Sequence, residues 1–139
     1  TPLKLAEAIE RNAARDIAWV GGLAETWAPP LYAVGARGFT SGLINVHPAL
    51  SVTIHTALEQ GRYGDAMRAI RSMALFETLR AEERNGTNVT VVKAALQLLG
   101  MDCGPVRAPG AWPLRKDGVR ELHALLQTWK LSVQPLRGD

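Results

Sequence analysis

Two short apolar stretches, one helix length apart, constrain this chain more than any other feature. The first, Ile17-Ala18-Trp19-Val20, stops at Gly21-Gly22; the second, Phe39 to Val46, lies between Gly38 and Pro48. Their length, flanks and β-branched content read as buried strands. Leu23 to Val34 between them has helical composition despite Pro29 and Pro30, which are expected to kink the helix or delay its start. Gly35 closes it. Strand, helix, strand at this spacing is a βαβ unit with parallel strands and a right-handed crossover. Parallel strands belong to sheets of several strands covered on both faces, yet no third strand is legible. Two alone leave unpaired edges and an uncovered face. The remaining strands are therefore expected from an N-terminal region outside this sequence or from another polypeptide, unless the two stretches are not strands at all.

Everything else reads as helix. Thr1 is placed as an N-cap with Pro2 at the first helical position and Leu5, Ala8 and Ile9 on one face, ending between Asn12 and Arg15. Pro48 to Gln60 is a helix ended by Gly61, and Tyr63 to about Glu83 is a longer one with Ala66, Ile70, Met73 and Phe76 inward. Val89 to Leu99 follows, capped by Gly100. A Pro- and Gly-rich connector, Cys103 to Pro113, leads to a last helix whose buried stripe is Val119, Leu122, Leu126 and Trp129. The tail after Leu131 is expected to be loose.

Composition narrows the function classes. The chain has 139 residues, 47% hydrophobic and 21% charged, which is enough material for a folded core and excludes disorder or a fibrous repeat. Sixteen Lys and Arg against thirteen Asp and Glu give a net charge of +3, and the charges are scattered. A nucleic-acid surface calls for a one-faced basic stripe with interleaved aromatics, so no nucleic-acid partner is expected. The single cysteine, Cys103, excludes an internal disulfide and fits a reducing, cytoplasmic setting. No signal-peptide pattern and no run of roughly 18 apolar residues occurs, so neither export nor a membrane partner is expected. Asn85-Gly86-Thr87 and Asn88-Val89-Thr90 match the glycosylation pattern but read as a polar loop. His47, His55 and His123 lack metal-ligand spacing, so no metal is expected. Without a P-loop or Gly-x-Gly-x-x-Gly, no nucleotide cofactor is expected either. Trp19, Trp27, Trp112 and Trp129 are assigned to the core or to a subunit interface.

The run from Tyr32 to Pro48, with Gly35-Ala36-Arg37-Gly38, Thr40-Ser41 and then Asn45 shortly before Pro48, resembles the last barrel strand of the dihydrodipicolinate synthase / N-acetylneuraminate lyase family. Downstream, Asn88-Val89-Thr90-Val91-Val92-Lys93 is similar to that family's Asn-Pro-x-x-x-Lys helix start, with Val89 in place of Pro. Arg107-Ala108-Pro109 before Pro113-Leu114 is similar to its Arg-x-Pro connector. Each motif is common by chance; their order and spacing carry the resemblance. Gly22-Leu23-Ala24-Glu25 with Thr40-Ser41 leans toward the 5-dehydro-4-deoxyglucarate dehydratase branch.

The resemblance implies an α/β fold, the C-terminal part of a (β/α)8 TIM barrel. Residues 1–48 would be its last βα units, holding strands seven and eight, and residues 49–139 the helical C-terminal region. It also implies Schiff-base chemistry between a lysine and the keto group of a 2-keto acid or sugar acid, by aldol cleavage or dehydration. The family's lysine lies on strand six and its carboxylate-binding loop and tyrosine on earlier strands, so no catalytic residue is assigned here and the chain alone is expected to be inactive. Lys93 matches a position in the helical region, away from the barrel mouth. What remains is a substrate-side wall at the strand ends: Gly22 and Glu25 after strand seven, with Glu25 able to bond substrate hydroxyls, and Thr40 and Ser41 in strand eight. The plainer readings are a first-turn acid favoured by the helix dipole for Glu25 and backbone-satisfied hydroxyls for Thr40 and Ser41. Asn45 is assigned to closing the turn into Pro48. The implied partners are the N-terminal barrel half or a companion chain, and further copies in a homo-oligomer, a tetramer by resemblance. The competing function is a non-catalytic helical interaction or oligomerisation module.

Overall fold

The computed structural model describes residues 1–110 and 112–136. Thr1 caps the first helix α1 (Pro2–Arg11) through its hydroxyl, which accepts from the Lys4 N–H at 3.4 Å. Strand β1 (Val20–Gly21) leads to helix α2 (Ala24–Ala33), and strand β2 (Gly38–Phe39) runs parallel to β1 with Val20 opposite Gly38. A 3₁₀ turn (Leu43–Asn45) precedes helix α3 (Pro48–Glu59) and helix α4 (Tyr63–Ser72). Helices α5 (Ala74–Asn85), α6 (Asn88–Leu98) and α7 (Lys116–Thr128) complete the order.

The βαβ unit is present, but its strands are much shorter than the sequence stretches. Backbone bonds from Arg37 N–H to the Trp19 carbonyl (2.9 Å) and from Thr40 N–H to the Gly21 carbonyl (2.8 Å) bracket the paired segment. Ile17 and Ala18 are exposed and outside it. On the other strand, the Ser41 hydroxyl accepts the Leu43 N–H at 2.9 Å and turns the chain into the 3₁₀ segment, so the expected strand over Phe39 to Val46 ends at Phe39. Among the described residues each strand has a single neighbour, so the outer edges of the ladder carry no further strand there.

Glycine permits two close approaches. At Gly21 a Cβ would stand 2.6 Å from Leu31 Cδ1, so a side chain there would force Leu31 of α2 to shift. Gly35, at φ +113, ends α2 and would place a Cβ 2.8 Å from Ile9 Cδ1, where α1 meets it. Pro29 and Pro30 both lie inside α2.

The chain divides into two compact units, Thr1–Ser72 and the residues from Met73 onward. In the first, Ala28, Leu31, Leu43, Ile54, Leu58, Ala66 and Ile70 form the core. Helices α3 and α4 belong to the same unit as the strands and pack on each other and on α2. In the second, Phe76, Leu79, Val91, Leu122 and Leu126 are buried, and Phe76 and Trp129 meet with ring centroids 6.1 Å apart. The helix expected over Tyr63 to Glu83 is interrupted at Met73 (φ −110, ψ 4). It stops being regular at Glu82, where Glu83, Arg84 and Asn85 adopt left-handed backbone. The tail is pinned as far as Gln134, whose N–H donates to the Leu98 carbonyl at 2.7 Å. The remainder of that expectation, residues 137–139, lies outside the described residues.

Candidate functional site

Three of the four site residues expected from sequence gather at the C-terminal ends of the paired strands. Gly22 follows β1 and is exposed; Thr40 follows β2 and is exposed; Ser41 is half-buried beside it. Two backbone bonds stitch this rim together: Thr40 N–H to the Gly21 carbonyl (2.8 Å) and Ala24 N–H to the Thr40 carbonyl (3.2 Å). Ala24 sits at φ +60, a left-handed conformation that a residue with a Cβ adopts only when its surroundings impose it. The Ser41 hydroxyl serves the backbone, accepting from Leu43 N–H. Asn45 Nδ2 donates to the Gly42 carbonyl at 3.2 Å and so closes the turn toward Pro48.

Glu25 is placed differently from its expected substrate-facing position. Its side chain is wholly buried, and the Ser51 hydroxyl on α3 donates to Glu25 Oε1 at 2.5 Å. Oε2 has no hydrogen-bond partner among the described residues. A second polar link lies two turns further along α2, where the Tyr32 hydroxyl and His55 Nδ1 are 2.7 Å apart. Ser51 and His55 stand one turn apart on α3, while Glu25 and Tyr32 stand two turns apart on α2, so the two helices are pinned at two points. Burial, reinforced by the Glu59 charge and opposed by Arg37, pushes the Tyr32 phenol up to about 12. Burial lowers the His47 imidazole below its ordinary range. The sequence reading missed Ser51, His55 and Tyr32 as partners. Their signal was faint: polar side chains at the inward positions of an otherwise apolar helix.

A groove of about 290 Å³ lies beside this rim, lined by Gly38 and Phe39 of β2, Ile44, and Pro48, Ser51, Val52 and His55 of α3. Its walls are almost entirely apolar, and its two polar members are already engaged with α2. That chemistry suits packing against another apolar surface better than it suits a reaction.

Lys93 Nζ is clamped by the carbonyls of Cys103 (2.9 Å), Gly104 (3.3 Å) and Pro105 (2.9 Å), so its ammonium organises the connector. Among the described residues, no three His, Cys, Asp or Glu side chains are placed to hold a metal ion, and no helix is long and apolar enough to cross a membrane.

Comparison with known proteins accounts for this arrangement. The sequence model of the dihydrodipicolinate synthetase family matches residues 2–129. A probable 5-dehydro-4-deoxyglucarate dehydratase of Ralstonia nicotianae is 28% identical over 126 residues, covering 89% of this chain and 40% of that protein. The 4-hydroxy-tetrahydrodipicolinate synthase 1 of Streptomyces coelicolor is 41% identical over 81 residues, 58% of this chain and 26% of its own. The crystal structure of dihydrodipicolinate synthase from Bacillus clausii superposes with a TM-score of 0.84 at 34% identity, covering 94% of this chain and 44% of that one. The chain thus spans less than half the length of the relatives it matches, and its two strands and flanking helices correspond to part of their barrel. It belongs to the dihydrodipicolinate synthetase family.

Proposed function

We propose that this chain supplies strands seven and eight and the C-terminal helices of a (β/α)8 barrel whose other strands come from another segment or a companion chain. In the completed barrel it forms the substrate-side wall of a Schiff-base lyase or dehydratase acting on a 2-keto acid or sugar acid. The amine comes from the complementary part. One observation carries this reading: a parallel strand pair whose outer edges are unpaired among the described residues, in a chain matching 44% of a related barrel enzyme. Gly22, Thr40 and Ser41 are the wall's candidates, because they sit where barrels of this kind place their active sites. The clamped Lys93 supports an amine from elsewhere. Further copies assembling into a homo-oligomer, and a reducing cytoplasmic setting for the exposed Cys103, belong to the same proposal.

Borohydride trapping with pyruvate tests it. The 139-residue chain alone should remain unlabelled, and the chain combined with a polypeptide that completes the barrel should be labelled on the added part. Labelling of a lysine in the isolated chain would overturn the proposal. Absence of labelling in any completed barrel favours the other reading, a helical interaction module, which the separate core around Phe76, Leu79 and Leu122 supports.

A further inference from the structure

We infer that Glu25 and Ser51 are positioning residues for the substrate-facing rim and that the Glu25 carboxyl itself does not touch substrate. The inference rests on the reading above for its catalytic consequence, but its structural half stands without it.

Burying a carboxyl group is unfavourable unless its oxygens are matched, and among the described residues only one of the two is. Its place in the chain explains what the arrangement does. Glu25 directly follows Ala24, the left-handed residue through which the loop after β1 enters α2. Two anchors flank that residue: the Ala24 N–H bonded to the Thr40 carbonyl, and the Glu25 carboxyl bonded to Ser51. The first ties the rim to the end of β2, and the second ties it to α3, the helix that follows β2. Together they hold Gly22 and Leu23, both exposed, above the strand ends. With the second anchor cut, the hold from α3 nearest Ala24 is lost and the Tyr32–His55 link remains only two turns further along α2, so Ala24 is freer to relax toward ordinary backbone and the rim to lose its register with Thr40 and Ser41. Ser51 is itself buried, so its hydroxyl cannot exchange the carboxyl for solvent.

The test uses three variants in the full 139-residue chain, Glu25→Ala, Glu25→Gln and Ser51→Ala. Glutamine keeps a carbonyl oxygen to accept the Ser51 bond. Amide exchange at Ala24 should speed up about tenfold in Glu25→Ala and Ser51→Ala, and stay within about threefold of the parent in Glu25→Gln. In the completed barrel, the pyruvate concentration giving half-maximal trapping should rise about fivefold in Ser51→Ala, while the maximal trapping rate stays within about twofold. Glu25→Gln should keep most of the affinity that Glu25→Ala loses. If Glu25→Gln is as damaging to trapping as Glu25→Ala, the carboxylate touches substrate and the inference is overturned. It is also overturned if Ser51→Ala leaves Ala24 exchange unchanged. Should Glu25→Ala fail to fold, Ser51→Ala, which removes one oxygen, decides alone. A barrel that never traps pyruvate sinks the proposed function, and the exchange measurement still judges the anchor.

Discussion

At the residue scale, polar side chains inside the first unit decide how its helices sit, and Tyr32 offers the plainest measurement. Its phenol is buried beside His55, and its ionisation is pushed up to about 12 from the ordinary value of 10. The folded state therefore holds the proton more tightly than the unfolded chain does. Below pH 10 both states are protonated and the contribution to stability is present in full. Between pH 10 and about 12 the unfolded phenol ionises while the folded one does not, so that contribution falls as pH rises and is exhausted above the folded value. Phenolate absorbance in a Tyr63→Phe variant, which isolates Tyr32, should titrate near 12, and the unfolding midpoint should decline through the same window; a midpoint near 10 would refute the burial argument. The same scale marks the limit of the sequence. Gly22, Thr40 and Ser41 could be placed at the strand ends because position along a βαβ unit fixes them. The direction of the Glu25 side chain could not, since its partner Ser51 is 26 residues away and the bond exists only once α2 and α3 are packed.

At the element scale, helices were legible and their interruptions were not. Gly35, Gly61 and Gly100 all have positive φ where helix ends were expected, because a left-handed residue at that point favours glycine. The break at Met73 has no glycine or proline to announce it. The strands shortened because pairing needs neighbours, and pattern alone cannot count them. The end of α5 depends on one hydroxyl. Thr87 is buried, and its Oγ1 lies 2.6 Å from the Leu79 carbonyl and 3.1 Å from that of Glu82, where the helix has run out of N–H donors. Thr87→Val keeps the shape and removes the donor, so it should cost about 1–3 kcal/mol. Thr87→Ser keeps the donor and should lose less. Chemical denaturation of the three proteins checks the order, and a valine variant as stable as the parent would show that the carbonyls find other donors. Lys93 has the same role for the connector. Its ammonium supplies three donors to three carbonyls, so Lys93→Met should accelerate amide exchange over residues 101–106, with Lys93→Arg intermediate because the guanidinium cannot reproduce that compact geometry.

At the scale of the whole molecule, the governing fact is a parallel pair with no third strand beside it among the described residues. Around that pair the chain leaves large apolar side chains in water: Val20 is 57% exposed, Leu23 56% and Val52 59%, and the groove beside β2 is walled by Phe39, Ile44 and Pro48. Unpaired strand edges next to apolar surface recruit other chains, which is why soluble proteins cover such edges or charge them. The isolated chain should therefore associate, with a mass by light scattering that rises with concentration. Val20→Lys is the discriminating variant. Its side chain is already more than half exposed, so a lysine there should leave the unfolding midpoint of the first unit nearly unchanged while placing charge on the open sheet. Association should weaken by about tenfold in apparent dissociation constant, in line with burial of one valine side chain at an interface. A polypeptide that completes the barrel should suppress self-association of the parent chain, because both compete for the same edges. A parent chain that stays monomeric across the whole concentration range would mean its edges are satisfied from within, and the expectation that further strands complete this sheet would fall with it.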